Sequence, residues 1–277
     1  MERLTVLISF RLDRSLVNQI WGVDPRVDVL YDPNLVGEPR FPCDHAGPIS
    51  RSAKEEACWR DWLGRAEVLF GFDRSHPEDL LELAPRLRWI QSTSAGVGRY
   101  ARAHVPEGSD VLITTASGIH ATALAEFTLM AMLAFVKNWF RIYEQQWGKV
   151  WERYTGVTLK GKTVAIVGLG SIGTEVARSA RCFGMRVVGT KRTVDGVEPG
   201  NLGVDAIYHP KDLPAMLSVA DFVVISCPYT PETEGLIGES ELKAMNPGSV
   251  LINVGRGAIV DEPSLIRFLR LGHLGGA

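Results

Sequence analysis

Short apolar runs alternate along the chain with stretches of helical periodicity. Runs of strand character cover 4–9, 27–31, 67–70 and 88–91. Helical segments lie between them. Asp13 is placed to cap a helix over 14–20, a second helix covers 54–63, and Pro77 opens a third over 78–83 at a favoured first-turn position. The segment between the second strand and the second helix carries Pro33, Gly37, Pro39, Pro42, Gly47 and Pro48, which predicts no regular structure. Strand–helix alternation of this kind predicts a parallel sheet with helices on its faces.

A long helical pattern over 121–147 contains no Pro and no Gly. It is apolar almost all round at 124–135, which predicts a buried helix between domains or subunits, and from it a homodimer. A second alternating block starts at Lys162, with strands over 163–167, 186–189, 220–226 and 250–253 and a helix over 172–183. The boundary falls near Ser117–Gly118. The expected fold is α/β, with two doubly wound parallel-sheet domains over 1–117 and 118–277.

Composition narrows the possible functions. The 277 residues carry 30 Lys+Arg against 32 Asp+Glu, which argues against a nucleic-acid binder that relies on a broad basic face. The most apolar stretch, 129–136, lies between Glu126 and Lys137, far short of the ~20 apolar residues that span a bilayer. No membrane segment and no secretory leader are expected. Cys43, Cys58, Cys182 and Cys227 form no CxxC pair, so neither a metal cage nor a disulfide framework is expected, and a reduced, cytoplasmic setting follows.

Chemistry enters at Gly168-Leu169-Gly170-Ser171-Ile172-Gly173, a GxGxxG segment between an apolar strand and a helix. Gly168 permits the tight turn, Gly170 leaves room for a pyrophosphate against the backbone, and Gly173 lets helix and strand pack closely. Free N–H groups at the helix start then bind the phosphates. The alternative is a plain βα connection whose glycines serve packing. The following strand ends in Gly189-Thr190-Lys191-Arg192, with no carboxylate until Asp195. A carboxylate at the strand end would hold a ribose 2′-OH, whereas Lys191 and Arg192 attract a 2′-phosphate. The pattern favours NADP(H) and leaves NAD(H) possible, the alternative being that both cations are solvated surface charges.

Arg256 lies between Gly255 and Gly257, just past the C-terminal end of a strand, where parallel sheets bind ligands. A guanidinium there suits a planar carboxylate, which it grips with two parallel hydrogen bonds. The alternative is a surface arginine in a tight turn.

Taken together, TVAIVGLGSIG, ADFVVISCPYTPETEGLI and MNPGSVLINVGRGAIVDEPSL resemble the D-isomer-specific 2-hydroxyacid dehydrogenases in order and separation. QSTSAGVG at 91–98 is similar to that family's substrate loop, and GIHATALAEF at 118–127 to the start of its interdomain helix. The resemblance implies a flavodoxin-like substrate domain, a Rossmann domain and reversible hydride transfer between a nicotinamide and a 2-oxo acid of the glyoxylate or hydroxypyruvate type. It implies that Arg256 binds the substrate carboxylate and polarises its carbonyl, and that Ala95, Gly96 and Val97 offer N–H groups to that carboxylate. By the same likeness, Ser171 and Ile172 contact the pyrophosphate. Cys227, Pro228 and Thr233 line the cofactor cleft, Val254 and Gly255 sit by the nicotinamide, and Lys191 falls where NAD-using members carry Asp. Gly98 stands where the family often has Asp.

Reduction of a ketone also needs a proton, which Arg256 cannot supply near neutral pH. The family places its acid/base His, the Glu that orients it and a returning helix beyond the position of Ala277, so both domains are expected to be incomplete at the C-terminus. A second reading follows, in which the chain binds nucleotide or a partner without turnover. Among the histidines present, His120 at the start of the long helix reads as a helix-end or packing residue, the alternative being an acid/base role facing the interdomain cleft. Asp221 reads as a residue that caps or ends the helix before its strand.

Overall fold

The computed structural model describes every residue except 1–2, 42–43, 46, 99–100, 102–103, 107 and 194–195. The chain divides into two compact units, Met1–Ser117 and Gly118–Ala277.

In the first unit, β1 (Leu4–Ile8), β2 (Val27–Leu30), β3 (Val68–Phe70), β4 (Trp89–Gln91) and β5 (Leu112–Thr114) form a sheet in the order β2-β1-β3-β4-β5. All pairs are parallel, with Val6 opposite both Val29 and Val68. Successive residues of β1 point to opposite faces. Leu7 packs with Trp59, Leu63, Leu69 and Ile90 on one side, and Ile8 with Phe10, Val17 and Val29 on the other. Helix α1 (Arg14–Trp21) starts where the Asp13 carboxylate accepts from Ser15 N, as the sequence predicts. Helix α2 (Ala53–Arg65) starts on a reciprocal capping box between Ser52 and Glu55. The helix expected after Pro77 is confined to one turn, α3 (Leu80–Leu83). Strand β5 has no counterpart among the expected elements. It is three residues long at the sheet edge with Leu112 exposed, so it lacks the apolar signal of an inner strand.

In the second unit, β6 (Thr163–Val167), β7 (Arg186–Thr190), β8 (Ala206–Tyr208), β9 (Phe222–Ile225) and β10 (Val250–Asn253) form a parallel sheet in the order β10-β9-β6-β7-β8. Central β6 is buried along its whole length, as a strand covered on both faces must be. Helices α4 (Ala121–Val136) and α6 (Ser171–Cys182) cover one face. There Leu129 and Met132 meet Val176, Ala177 and Ala180, whose small side chains permit close packing. The other face is covered by α7 (Leu213–Leu217), α8 (Glu239–Ala244) and α9 (Glu262–Arg270), through Met216, Leu242 and Phe268.

The long helix expected over 121–147 is two helices. It breaks at Asn138, whose φ of 52° is left-handed, and α5 (Trp139–Gly148) leaves α4 at 64°. Asn tolerates that conformation because its short amide can bond locally. Ala125, Leu129, Met132 and Val136 are buried along one stripe of α4, while Phe127 and Met130 are exposed. Among the described residues, no single helix is long and apolar enough to cross a membrane. Asp221 does not cap the helix before it. Its carboxylate accepts from Thr163 N at 2.8 Å and Lys162 Nζ at 2.9 Å, tying the start of β9 to the start of β6.

Candidate functional site

The order of the second sheet reverses between β6 and β9. Ligands of open α/β sheets bind at the C-terminal ends of the strands beside such a reversal. Three turns converge there. Gly168 follows β6 with a φ of +102°, and a Cβ on it would lie 2.7 Å from Cys227 N in the turn after β9. A Cβ on Gly255, in the turn after β10, would lie 3.1 Å from the Cys227 carbonyl oxygen. Burial pushes the Cys227 thiol above its ordinary pKa.

The glycines of the first turn serve different ends. A Cβ on Gly173 would overlap the Gly168 carbonyl and approach Ser226 Oγ to 2.9 Å, so packing excludes any side chain. A Cβ on Gly170 would meet no protein atom within 4 Å. Gly170 is the N-cap of α6, and Thr174 N donates to its carbonyl. Among the described residues, nothing accepts from the N–H groups of Ser171, Ile172 and Gly173, the open first-turn donors of a helix. Ser171 is exposed, and Ile172 leans on the core.

The turn is held by residues that the sequence reading did not single out. Thr190 accepts from Gly168 N through Oγ1 at 3.1 Å, and its carbonyl accepts from Leu169 N at 2.9 Å. Ser226 Oγ donates to the Gly168 carbonyl at 2.8 Å. Leu169 fits against Gly189, where a Cβ would lie 2.8 Å from its side chain. The available signal was a hydroxyl residue at the C-terminal end of an apolar strand. Beyond Thr190, Lys191 is half-buried with Nζ 3.3 Å from the Leu169 carbonyl, and Arg192 is exposed. Asp195 lies outside the described residues. Glu232 stands within electrostatic reach of Arg192. Its carboxyl is held below the usual range mainly by the Thr230 hydroxyl, with a smaller pull from Arg192.

Pro228 and Thr233 belong to the turn after β9. Thr233 Oγ1 donates to the Pro228 carbonyl at 2.8 Å and accepts from Thr230 N at 2.7 Å, so it organises this loop internally. After β10, Val254 N donates to the Ile225 carbonyl. Asn253 clamps the arginine turn, accepting from Gly255 N at 2.9 Å and donating to the Arg256 carbonyl at 3.0 Å. Arg256 itself is exposed, with Nη1 3.1 Å from the Gly255 carbonyl. The turns that carry Gly168, Gly170, Cys227, Val254 and Gly255 thus meet at the C-terminal ends of β6, β9 and β10.

Ala95, Gly96 and Val97 lie in the other unit, in the loop after β4. Ser92 N donates to the Thr114 carbonyl at 2.8 Å, and Ser92 Oγ accepts from Ser94 N at 3.1 Å. Gly96 takes a φ of +69°, and the Val97 carbonyl accepts from Ala101 N, opening a helical turn. Among the described residues, no acceptor faces the N–H groups of Gly96 and Val97. His45 reaches this loop from the Pro/Gly-rich segment, with Nδ1 2.9 Å from Thr93 Oγ1. Among the described residues, no cluster of three His, Cys, Asp or Glu is arranged to hold a metal.

Residues 129–277 match the NAD binding domain of the D-isomer specific 2-hydroxyacid dehydrogenases. A glyoxylate reductase from Aeropyrum pernix is 36% identical over 211 residues, which is 72% of this chain and 61% of that protein. A glyoxylate reductase from Thermococcus litoralis is 34% identical over 214 residues, 72% of this chain and 62% of that protein. The chain spans about three-fifths of the length of these curated relatives. The crystal structure of a D-isomer specific 2-hydroxyacid dehydrogenase family protein from Aeromonas salmonicida subsp. salmonicida A449 superposes with a TM-score of 0.78 at 28% identity, over 99% of this chain and 80% of that one. The match covers more than half of the chain and includes the glycine turn, the Cys227 turn and the Arg256 turn. This chain therefore belongs to the D-isomer specific 2-hydroxyacid dehydrogenase family.

Proposed function

We propose that this chain is part of an oxidoreductase that transfers a hydride between NADP(H) and a small 2-oxo or 2-hydroxy acid of the glyoxylate or hydroxypyruvate type. The observation that carries the cofactor choice is the end of β7, where Lys191 and Arg192 follow Thr190 without a carboxylate. A 2′-phosphate is attracted by these two cations, whereas the ribose 2′-OH of NAD(H) calls for an acceptor. The residues present fit a dinucleotide. Gly170 has no protein neighbour that requires a glycine, and three first-turn amides of α6 are open to a pyrophosphate.

In this reading Ser171 and Ile172 donate backbone hydrogen bonds to the pyrophosphate. Cys227, Pro228 and Thr233 wall the cleft, and Val254 and Gly255 flank the nicotinamide. When bound, the nicotinamide donates or accepts the hydride. Arg256 grips the substrate carboxylate and polarises the neighbouring carbonyl, and Asn253 keeps its turn in shape. The amides of Ala95, Gly96 and Val97 offer hydrogen bonds to a carboxylate in the substrate unit, residues 1–117, while 118–277 is the cofactor unit. The relatives that carry the glyoxylate reductase name support the substrate class. The protein acts in the cytoplasm as a homodimer through α4 and α5, whose Phe127, Met130, Trp139, Phe140 and Trp147 are exposed in the single chain.

The experiment is a fluorescence titration of NADPH and NADH against wild type and the double variant Lys191→Asp, Arg192→Ala. Removing two charge-assisted contacts, each worth about 1.5–3 kcal/mol, weakens NADPH binding by about two orders of magnitude or more. NADH binding changes little. Equal loss for both cofactors refutes the assignment.

A further inference from the structure

In the Pro/Gly-rich segment before α2, residues 37–38 and 47–48 lie against each other as a strap. Its two limbs touch backbone to backbone: a Cβ on Gly37 would overlap the Gly47 carbonyl, and one on Gly47 would overlap the Glu38 carbonyl. Only glycine permits that approach on either side. Between the limbs, Arg40 clamps the buried carboxylate of Asp44, with Nε 2.7 Å from Oδ2 and Nη2 3.2 Å from Oδ1. Asp44 also accepts from Arg40 N at 3.1 Å. The residue after this clamp is His45.

Two contacts fix the His45 ring. One face stacks on Phe10, with centroids 4.3 Å apart and planes 29° apart. Phe10 is itself buried, edge-on to Phe70 at 5.0 Å, so the platform consists of the ends of β1 and β3. The second contact is Nδ1 to Thr93 Oγ1 at 2.9 Å. Thr93 lies two residues before Ala95, between the anchored Ser92 and the open amides of Gly96 and Val97.

We propose that His45 is a positioning residue: held by Phe10 and by the Arg40–Asp44 clamp beside it, it fixes through Thr93 the loop that receives the substrate carboxylate. The substrate side of this statement rests on the proposed dehydrogenase function. The loop-holding side rests on the contacts alone. Carboxylate-binding amides act only when held in place before the ligand arrives, since an amide that must be ordered on binding loses affinity to that ordering. These contacts provide that order from outside the loop, so their effect falls on substrate binding rather than on cofactor binding.

The test compares wild type with His45→Ala, Thr93→Val and His45→Asn, the last keeping a polar atom at the position of Nδ1. Amide hydrogen exchange is measured without ligand at the two bonded amides of this loop, Ser94 N, which donates to Ser92 Oγ, and Ala101 N, which donates to the Val97 carbonyl. His45→Ala and Thr93→Val are expected to exchange about three- to tenfold faster there, the range of one exposed hydrogen bond. His45→Asn, which keeps the polar contact but loses the stack on Phe10, exchanges more slowly than His45→Ala, and exchange in the second unit does not change in any variant. In turnover, the KM for glyoxylate or hydroxypyruvate rises by a similar factor in the first two variants, with kcat and the KM for NADPH kept. Unchanged exchange at Ser94 and Ala101 in both His45→Ala and Thr93→Val overturns the proposal, as does exchange in His45→Asn as fast as in His45→Ala. If His45→Ala does not fold, Thr93→Val decides alone. Absence of wild-type turnover counts against the dehydrogenase function of this chain, and the exchange result still decides what holds the loop.

Discussion

Gly170 and Gly173 lie three residues apart in one turn, and the structure assigns them opposite kinds of necessity. A methyl group on Gly170 meets no protein atom within 4 Å, and the residue's φ of −91° is open to alanine. Gly170→Ala therefore folds. Its cost is that of exchanging glycine for alanine at a helix N-cap, about 1 kcal/mol or less. That is a fall of about 2–4 °C in Tm for a protein of this size. The same methyl stands where the proposed pyrophosphate approaches the backbone. Displacing one charge-assisted hydrogen bond of about 1.5–3 kcal/mol weakens NADPH binding by about ten- to a hundredfold. In Gly173→Ala the methyl overlaps the Gly168 carbonyl, which Ser226 Oγ already holds at 2.8 Å. Backbone cannot yield as a flexible side chain does, so overpacking of about 1–3 kcal/mol is expected. Thermal melts and a fluorescence titration of NADPH on the two variants separate these effects. Gly170→Ala that melts within about 4 °C of wild type and still binds NADPH within twofold of it refutes the assignment of that open space to the pyrophosphate.

Three further outcomes are expected. Arg256→Lys keeps the charge but loses the two-pronged grip, so binding of oxamate to the NADPH-loaded protein weakens at least tenfold while the Kd for NADPH is kept; calorimetry reads both. Asp24 is held at a pKa of about 2, chiefly by hydrogen bonds from the Arg26 side chain and then from its backbone N–H. A depressed folded pKa means that the interaction is present above about pH 4 and is lost as pH falls towards 2. The Asp24 carboxyl resonance should titrate at that low midpoint and move towards 3.8 in Arg26→Ala. Sedimentation velocity should give a dimer, and Trp147→Glu on the exposed face of α5 should shift it to monomer; a wild-type monomer removes the dimer from the proposed function.

Most of the scaffold was legible because buried parallel strands read as apolar runs. β6 is buried from Thr163 to Val167, and its sequence contains nothing but β-forming and small residues. Strands β5 and β8 were not legible, since each has three residues at a sheet edge and no fully buried side chain. The break at Asn138 was missed for a different reason. Helical periodicity continues through it, and only the left-handed backbone of one residue redirects the chain. At the candidate site, the glycines announced themselves by spacing. Thr190, Ser226 and Asn253 did not, because a single hydroxyl or amide after an apolar run has many possible partners. The contact between His45 and Thr93 spans 48 positions of sequence, and no local pattern encodes a pairing at that distance.

Thr190 has a consequence for how such a protein changes over time. With its hydroxyl and its carbonyl it fastens β7 to the glycine turn, so the geometry of the turn is settled before residue 191 is reached. The two side chains that follow contribute little to that fastening beyond one long contact from Lys191 Nζ. Under the proposed cofactor choice, foundation and discriminator thus occupy adjacent positions yet answer to separate demands. The tip of β7 can be rewritten without disturbing the floor on which a dinucleotide would rest, so a lineage could trade one reductant for another in one or two substitutions, with no folding-impaired intermediate along the way.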